Sequence, residues 1–140
     1  MTSVDIDDFK AMAPYFDVVA NGLEGLVDGE NFFDFHAEDV VVEYVITVPN
    51  HPRQIVGRDN LVEQYRGYGD MIVQDGASDV YVHHDREKSV VVLEYTIRGR
   101  IIHNGKRYLN RFVSVITIKD RKIVRGRDYL DPLAVIEAYE

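Results

Sequence analysis

Lys122-Ile-Val-Arg-Gly-Arg-Asp-Tyr-Leu-Asp-Pro132 alternates like a β-strand and carries a carboxylate where an apolar residue is expected. Two guanidiniums on one strand face go to solvent unless they are paired. With Arg125, Arg127 and Tyr129 outward, Val124, Gly126, Asp128 and Leu130 point inward. Asp is disfavoured in strands, and a buried carboxylate either finds donors or takes up a proton. An inward Asp128 therefore signals a polar feature inside the fold, such as a pocket.

The orientation of Asp128 depends on the turn before it, Lys119-Asp120-Arg121. A two-residue loop sets Asp128 opposite Val113 on the outer face. A three-residue loop with Arg121 left-handed in a bulge sets it opposite Phe112 and diagonal to Asn110 and Ser114. The second is preferred, because a left-handed non-glycine residue costs roughly 1 kcal/mol, less than burying two unpaired guanidiniums. One hairpin earlier, Asn104-Gly105 reads as a two-residue type I′ turn pairing His103 with Lys106. That register sets Ile97 opposite Phe112, Tyr95 opposite Ser114 and Gly99 opposite Asn110. The same face holds Val91, Leu93, Ile116 and Ile118 and is the buried one. The opposite face mixes Glu94, Thr96, Arg98, Arg100, Arg111 and Lys119 with Val90, Val92, Val113 and Val115, a pattern suited to cover by a second copy of the chain. From about Ser78 onward the chain thus reads as four antiparallel strands, closed by a short helix over Pro132 to Tyr139.

Upstream, apolar residues from Phe9 to Val27 recur at helical spacing, with Pro14 marking either a helix start or a kink and Gly29 the end. Glu30 to His36 reads as a short second helix, and Val40 to Val48 as a strand stopped by Pro49-Asn50-His51-Pro52. A third helix starts at Gly57-Arg58-Asp59, with Leu61, Tyr65, Tyr68 and Ile72 on one face and Gly67 and Gly69 loosening its end. Arg58 reads as a surface cation and Asp59 as a helix-start carboxylate.

The chain has 140 residues, 46% of them hydrophobic, which fits one domain, residues 1–140, with a sizeable core. A formal charge of -8 disfavours nucleic acid and anionic membrane as partners. Without cysteine there is no disulfide, thiol nucleophile or thiolate metal site. The polar N-terminus does not read as a signal peptide and no apolar run is long enough to span a bilayer, so the expectation is a soluble, cytoplasmic protein. None of the five histidines sits at metal-ligand spacing, and His36 reads as a core or pocket-edge residue. Glu43 and Glu94 are expected to pair with Arg98, Arg100 or Arg111. No glycine-rich phosphate loop or activated serine motif is present, so the chemistry expected is proton transfer without a cofactor.

Four stretches resemble the nuclear transport factor two-like, or SnoaL-like, family: Ala37-Glu38-Asp39-Val40, Gly57-Arg58-Asp59, Gly105-Lys106-Arg107-Tyr108 and Arg127-Asp128-Tyr129-Leu130-Asp131-Pro132. The resemblance implies an α+β cone in which a curved, mixed but mainly antiparallel sheet and three helices from the N-terminal half enclose a deep, mostly apolar pocket, with a short C-terminal helix. Its members include ketosteroid isomerases, polyketide cyclases, limonene-epoxide hydrolases and binding domains without catalysis. Asp128 matches the aspartate with which the epoxide hydrolases activate water. Their central-strand Arg and second Asp fall on Tyr95 and Ile97 here, or on Glu94 and Thr96 with the register slid by one, with no arginine in either, and their water-holding first-strand positions on Val42 and Tyr44.

The candidate catalytic set is Asp128 as a base, with Tyr95 and Asn110 steadying an oxyanion. The candidate substrate contacts are Tyr44, Phe112, Ser114, Ile97, Tyr65, Tyr68 and Leu130. The substrate expected is a small hydrophobic carbonyl compound, and the assembly a homodimer through the outer sheet face. Tyr65 and Tyr68 have a competing reading as plain core residues, and Asp128 as a carboxylate that merely satisfies its own hydrogen bonds. A binding domain without chemistry and an epoxide hydrolase are the alternatives to an isomerase or cyclase.

Overall fold

The computed structural model describes residues 4–140. Six strands form one sheet: β1 (His36–Tyr44), β2 (Gln54–Val56), β3 (Ile72–Asp85), β4 (Val90–Ile101), β5 (Arg107–Lys119) and β6 (Lys122–Leu130), in the order β2-β1-β6-β5-β4-β3. β1 runs parallel to β6 and every other neighbour pair is antiparallel, as the α+β expectation requires. Three α-helices, α1 (Ala13–Gly22), α2 (Arg58–Gly69) and α3 (Pro132–Tyr139), join it, with 3₁₀ turns at Ile6–Met12 and Phe33–Phe35. No helix among the described residues is long and apolar enough to cross a membrane.

The four-strand run stands as read, although β3 begins at Ile72 rather than near Ser78. The N-terminal half departs more. Pro14 lies in the first turn of α1, whose α-helical span ends at Gly22, well before Gly29. The second helix contracts to a 3₁₀ turn, because the Asn31 side-chain Oδ1 accepts the Phe33 and Asp34 N–H groups and closes the chain locally. The first strand lies four residues earlier than its β-branched run suggested, since pairing with β6 already starts at His36. Strand β2 was not anticipated. Phe9, Phe16, Phe32 and Phe33 fill the space under the helices, with the Phe16 and Phe32 rings stacked at 4.3 Å.

Both hairpin registers differ from expectation by two residues, so inward and outward faces are preserved. At the first, only Gly105 takes positive φ (70°), whereas a type I′ turn needs two such residues. Asn104 instead accepts the Lys106 N–H and donates to the Ala138 carbonyl, giving a longer loop. Tyr95 therefore faces Phe112, Ile97 faces Asn110 and Gly99 faces Tyr108. At the second hairpin the turn has two residues, Asp120 (φ 51°) and Arg121 (φ 62°), both left-handed. Arg121 is anchored there by its Nε–H to Asp28 Oδ1 at 2.8 Å. An extra residue in β6, between the pairs Thr117↔Arg125 and Ile118↔Ile123, restores the inward aspect of Asp128. Hence Ile123, rather than Val124, is buried with Gly126, Asp128 and Leu130, and Asp128 faces Ser114 instead of Phe112.

Three surface assignments also change. Glu94 pairs with His83 and Glu43 with Arg125, because these are the cross-strand neighbours that the register brings opposite or diagonal to them. Arg58 is mostly buried, bridging the His36 carbonyl and Glu38.

Candidate functional site

Three adjacent strands bring Tyr44, Asp128 and Ser114 into one cross-strand row, with Asp128 paired to Tyr44 on β1 and to Ser114 on β5. The Ser114 hydroxyl donates to Asp128 Oδ1 at 2.7 Å, and the Tyr95 hydroxyl lies 2.7 Å from Ser114 Oγ. Serine has one proton and the carboxylate takes it, so Tyr95 donates to Ser114 in turn. Asp128 is 8% exposed, and no cation pairs with it among the described residues. Burial pushes its pKa up to about 6, and the Ser114 hydrogen bond offsets only part of that rise. A carboxylate of this kind can hold or release a proton near neutrality.

In front of Asp128 lies a cavity of about 90 Å³. Seven of the chain's nine tyrosines line it: Tyr15, Tyr44, Tyr65, Tyr68, Tyr95, Tyr108 and Tyr139. Met12, Ile72, Ile97, Phe112, Leu130 and Val135 supply apolar wall, Gln74 and His51 the remaining polar atoms, and neither Lys nor Arg contributes. Burial pushes the phenols of Tyr15, Tyr44, Tyr65 and Tyr95 well up, so they stay protonated and able to donate. The Tyr44 and Tyr68 hydroxyls sit 2.7 Å apart. Two hydroxyls sharing one hydrogen bond leave a proton free to turn toward a third oxygen.

Behind Asp128, a pocket of about 20 Å³ touches Ser114, Tyr15, Tyr65 and His36. His36 is buried, its Nδ1–H donates to the Phe32 carbonyl at 2.8 Å, and desolvation holds its pKa down at about 4. It is a neutral core histidine. Among the described residues no group of three His, Cys, Asp or Glu side chains could hold a metal ion.

Of the residues read from the sequence, Asp128, Tyr95, Tyr44, Phe112, Ile97, Tyr65, Tyr68 and Leu130 all meet around the cavity. Ser114 stands behind Asp128 and orients it. Asn110 is on the inner face but engaged elsewhere: its Nδ2 donates to the Tyr108 hydroxyl and the Asp131 carbonyl, and its Oδ1 accepts the Asp131 N–H. That amide fixes the start of α3 rather than facing the cavity. Tyr15, Gln74, Tyr108 and Tyr139 were missed. The Gln74 side chain accepts the Tyr15 N–H at 3.0 Å, tying α1 to β3. Tyr108 was legible, being two residues from Asn110 on the same strand face, whereas Tyr15 and Tyr139 lie on helices whose rotation the sequence does not fix.

The SnoaL-like domain family matches residues 12–126. YesE, an uncharacterised protein of Bacillus subtilis strain 168, is 28% identical over 112 residues, covering 80% of this chain and 76% of its own. A crystal structure of a candidate isomerase from Bacillus subtilis superposes with TM-score 0.75 at 22% identity, over 97% of this chain and 96% of that one. A candidate polyketide cyclase from Xanthomonas campestris pv. campestris gives TM-score 0.69 at 18% identity, over 96% and 93%.

Proposed function

The chain belongs to the SnoaL-like domain family, and we propose that it is an isomerase or cyclase working by proton transfer without a cofactor. The observation that carries this reading is a buried, unpaired carboxylate with one hydroxyl donor, facing a cavity walled by protonated tyrosines. Asp128 takes the proton from a carbon next to a carbonyl. The C–H electron pair moves to the carbonyl oxygen and forms an enolate. A phenol proton steadies that oxygen, and Asp128 then returns its proton to another carbon of the same molecule.

The tyrosines divide into two roles. The proton of Tyr95 is committed to Ser114, so Tyr95 positions the base through Ser114. The Tyr44–Tyr68 pair holds an uncommitted proton and is the better oxyanion donor. Epoxide opening is less well supported, because among the described residues no Lys or Arg lines the cavity beside Asp128. A binding role without chemistry uses the same cavity, with Asp128 anchoring a polar group of the ligand.

The test is exchange of α-protons in heavy water, followed by proton NMR with small cyclic ketones and β-diketones. Wild-type protein should exchange them catalytically and Asp128→Asn should not. Binding without exchange in wild type would select the non-catalytic reading. We also propose that the chain forms a homodimer through the outer sheet face, where Val90, Val92, Val113 and Val115 are half-buried and Tyr81, opposite Glu94, is exposed. A monomer in light scattering at micromolar concentration would contradict it.

A further inference from the structure

The cavity before Asp128 is small for a whole substrate. Pockets for drug-sized ligands run to roughly 300–1,000 Å³, and about 90 Å³ takes only the reacting end of such a molecule. A second space of about 390 Å³ lies between the 49–51 turn, the C-terminal half of α2 and α3. His51, Tyr68, Val135 and Tyr139 line both, so the two spaces adjoin and these four side chains form the partition between them. His51 stacks on Tyr68 at 5.4 Å and meets the Tyr44 ring edge-on at 5.7 Å, which places an aromatic collar at the junction.

From this adjacency across a partition of four side chains, and on the proton-abstraction reading above, we infer that the substrate is an elongated, uncharged molecule. Its carbonyl end enters the inner cavity, and an apolar or aromatic portion lies in the α2–α3 groove. The chemistry of the walls sets the charge. Neither space has a Lys or Arg in its lining, while Asp128, Glu63 and Glu140 contribute carboxyl groups. A carboxylate or phosphate on the substrate would lose solvation, meet like charge and gain no cation. Met71, Val135, Ile136 and the Tyr139 ring supply the apolar contact for the distal portion.

Gly67 is the specificity-determining position in this arrangement. It lines the groove, and a Cβ built there meets no atom within 4 Å. A larger residue fits the helix and grows into the groove. Leucine is also the better helix former, so Gly67→Leu should fold and be at least as stable as wild type.

The experiment measures binding by ligand-observed NMR, and α-proton exchange in parallel, for cyclohexanone, 4-phenylcyclohexanone and 4-(4-oxocyclohexyl)benzoate. The phenyl ketone should bind about tenfold or more tightly than cyclohexanone, the effect of burying an aromatic ring. The benzoate should lose that advantage, and in Gly67→Leu, with its melting temperature retained, the phenyl ketone should lose it as well. Equal binding of the two neutral ketones, no binding of either, a benzoate that binds as well as the phenyl ketone, or an unchanged preference in Gly67→Leu would overturn the inference. The expected binding order without exchange in wild type would sink proton abstraction and leave the substrate shape standing.

Discussion

Replacing Asp128 by Asn should make the protein more stable at alkaline pH while removing its activity. The folded state holds the Asp128 carboxyl at a pKa of about 6, against 3.8 for the free side chain. That difference corresponds to about 3 kcal/mol. Because the folded pKa is the higher one, the folded state binds the extra proton, and the contribution is complete below pH 3.8 and lost as pH rises through 6. At pH 8 the charged, unpaired carboxylate thus opposes folding by about 3 kcal/mol relative to its protonated form. Asparagine keeps the shape, its Oδ1 still accepts from Ser114, and it carries no charge. Asp128→Asn should gain about 2–3 kcal/mol at pH 8, and the gain should shrink toward zero by pH 4. His36 runs the other way: with its pKa held at about 4 against 6.5, its stabilising contribution is present above pH 6.5 and lost as pH falls toward 4. The two effects nearly cancel in wild type, so the variant should lose stability on acidification more steeply than wild type and converge on it near pH 4. The chain has no tryptophan, so urea unfolding followed by far-UV circular dichroism at pH 8, 6 and 4.5 is the assay. A variant less stable than wild type at pH 8, or a difference that does not change with pH, would refute the reasoning.

Further outcomes follow from the same geometry. Ser114→Ala removes the one donor to Asp128 and leaves the Tyr95 hydroxyl without its acceptor, so stability should fall by about 1–3 kcal/mol in urea unfolding and the Asp128 pKa should rise above that of wild type. Gly99→Ala would bring a Cβ to 2.6 Å from the Val73 carbonyl oxygen, a backbone contact that cannot swing aside; a loss of about 1–3 kcal/mol is expected by chemical denaturation, and a neutral result would mean that β3 and β4 are not held at this distance. Asn110→Ala cuts three hydrogen bonds around Tyr108 and Asp131, and amide exchange over 132–139 should accelerate more than exchange in β4.

What the sequence revealed was periodicity and what it concealed was local turn geometry. The inward set on β4 and β5 was legible because a half-buried sheet repeats every two residues, and the two-residue errors in register left those faces intact. The inward placement of Asp128 was read from its conflict with its neighbours, although two left-handed turn residues and a bulge deliver it rather than a three-residue loop. Neither device has a sequence mark, since Arg121 is held in place by loop 25–28, nearly a hundred positions away. The helix-borne tyrosines were harder to read, because the wall they form depends on how α1 and α3 rotate against the sheet. Asn110 shows the remaining gap: an inward amide looks like an oxyanion donor until its partners are known.

The most direct test of the account is the titration of the Asp128 carboxyl carbon by carbon-detected NMR, assigned by its absence in Asp128→Asn. A pKa near 6 that rises further in Ser114→Ala is the predicted result. A value at or below 3.8 would mean a solvated or cation-paired carboxylate, and would contradict Asp128 as the base.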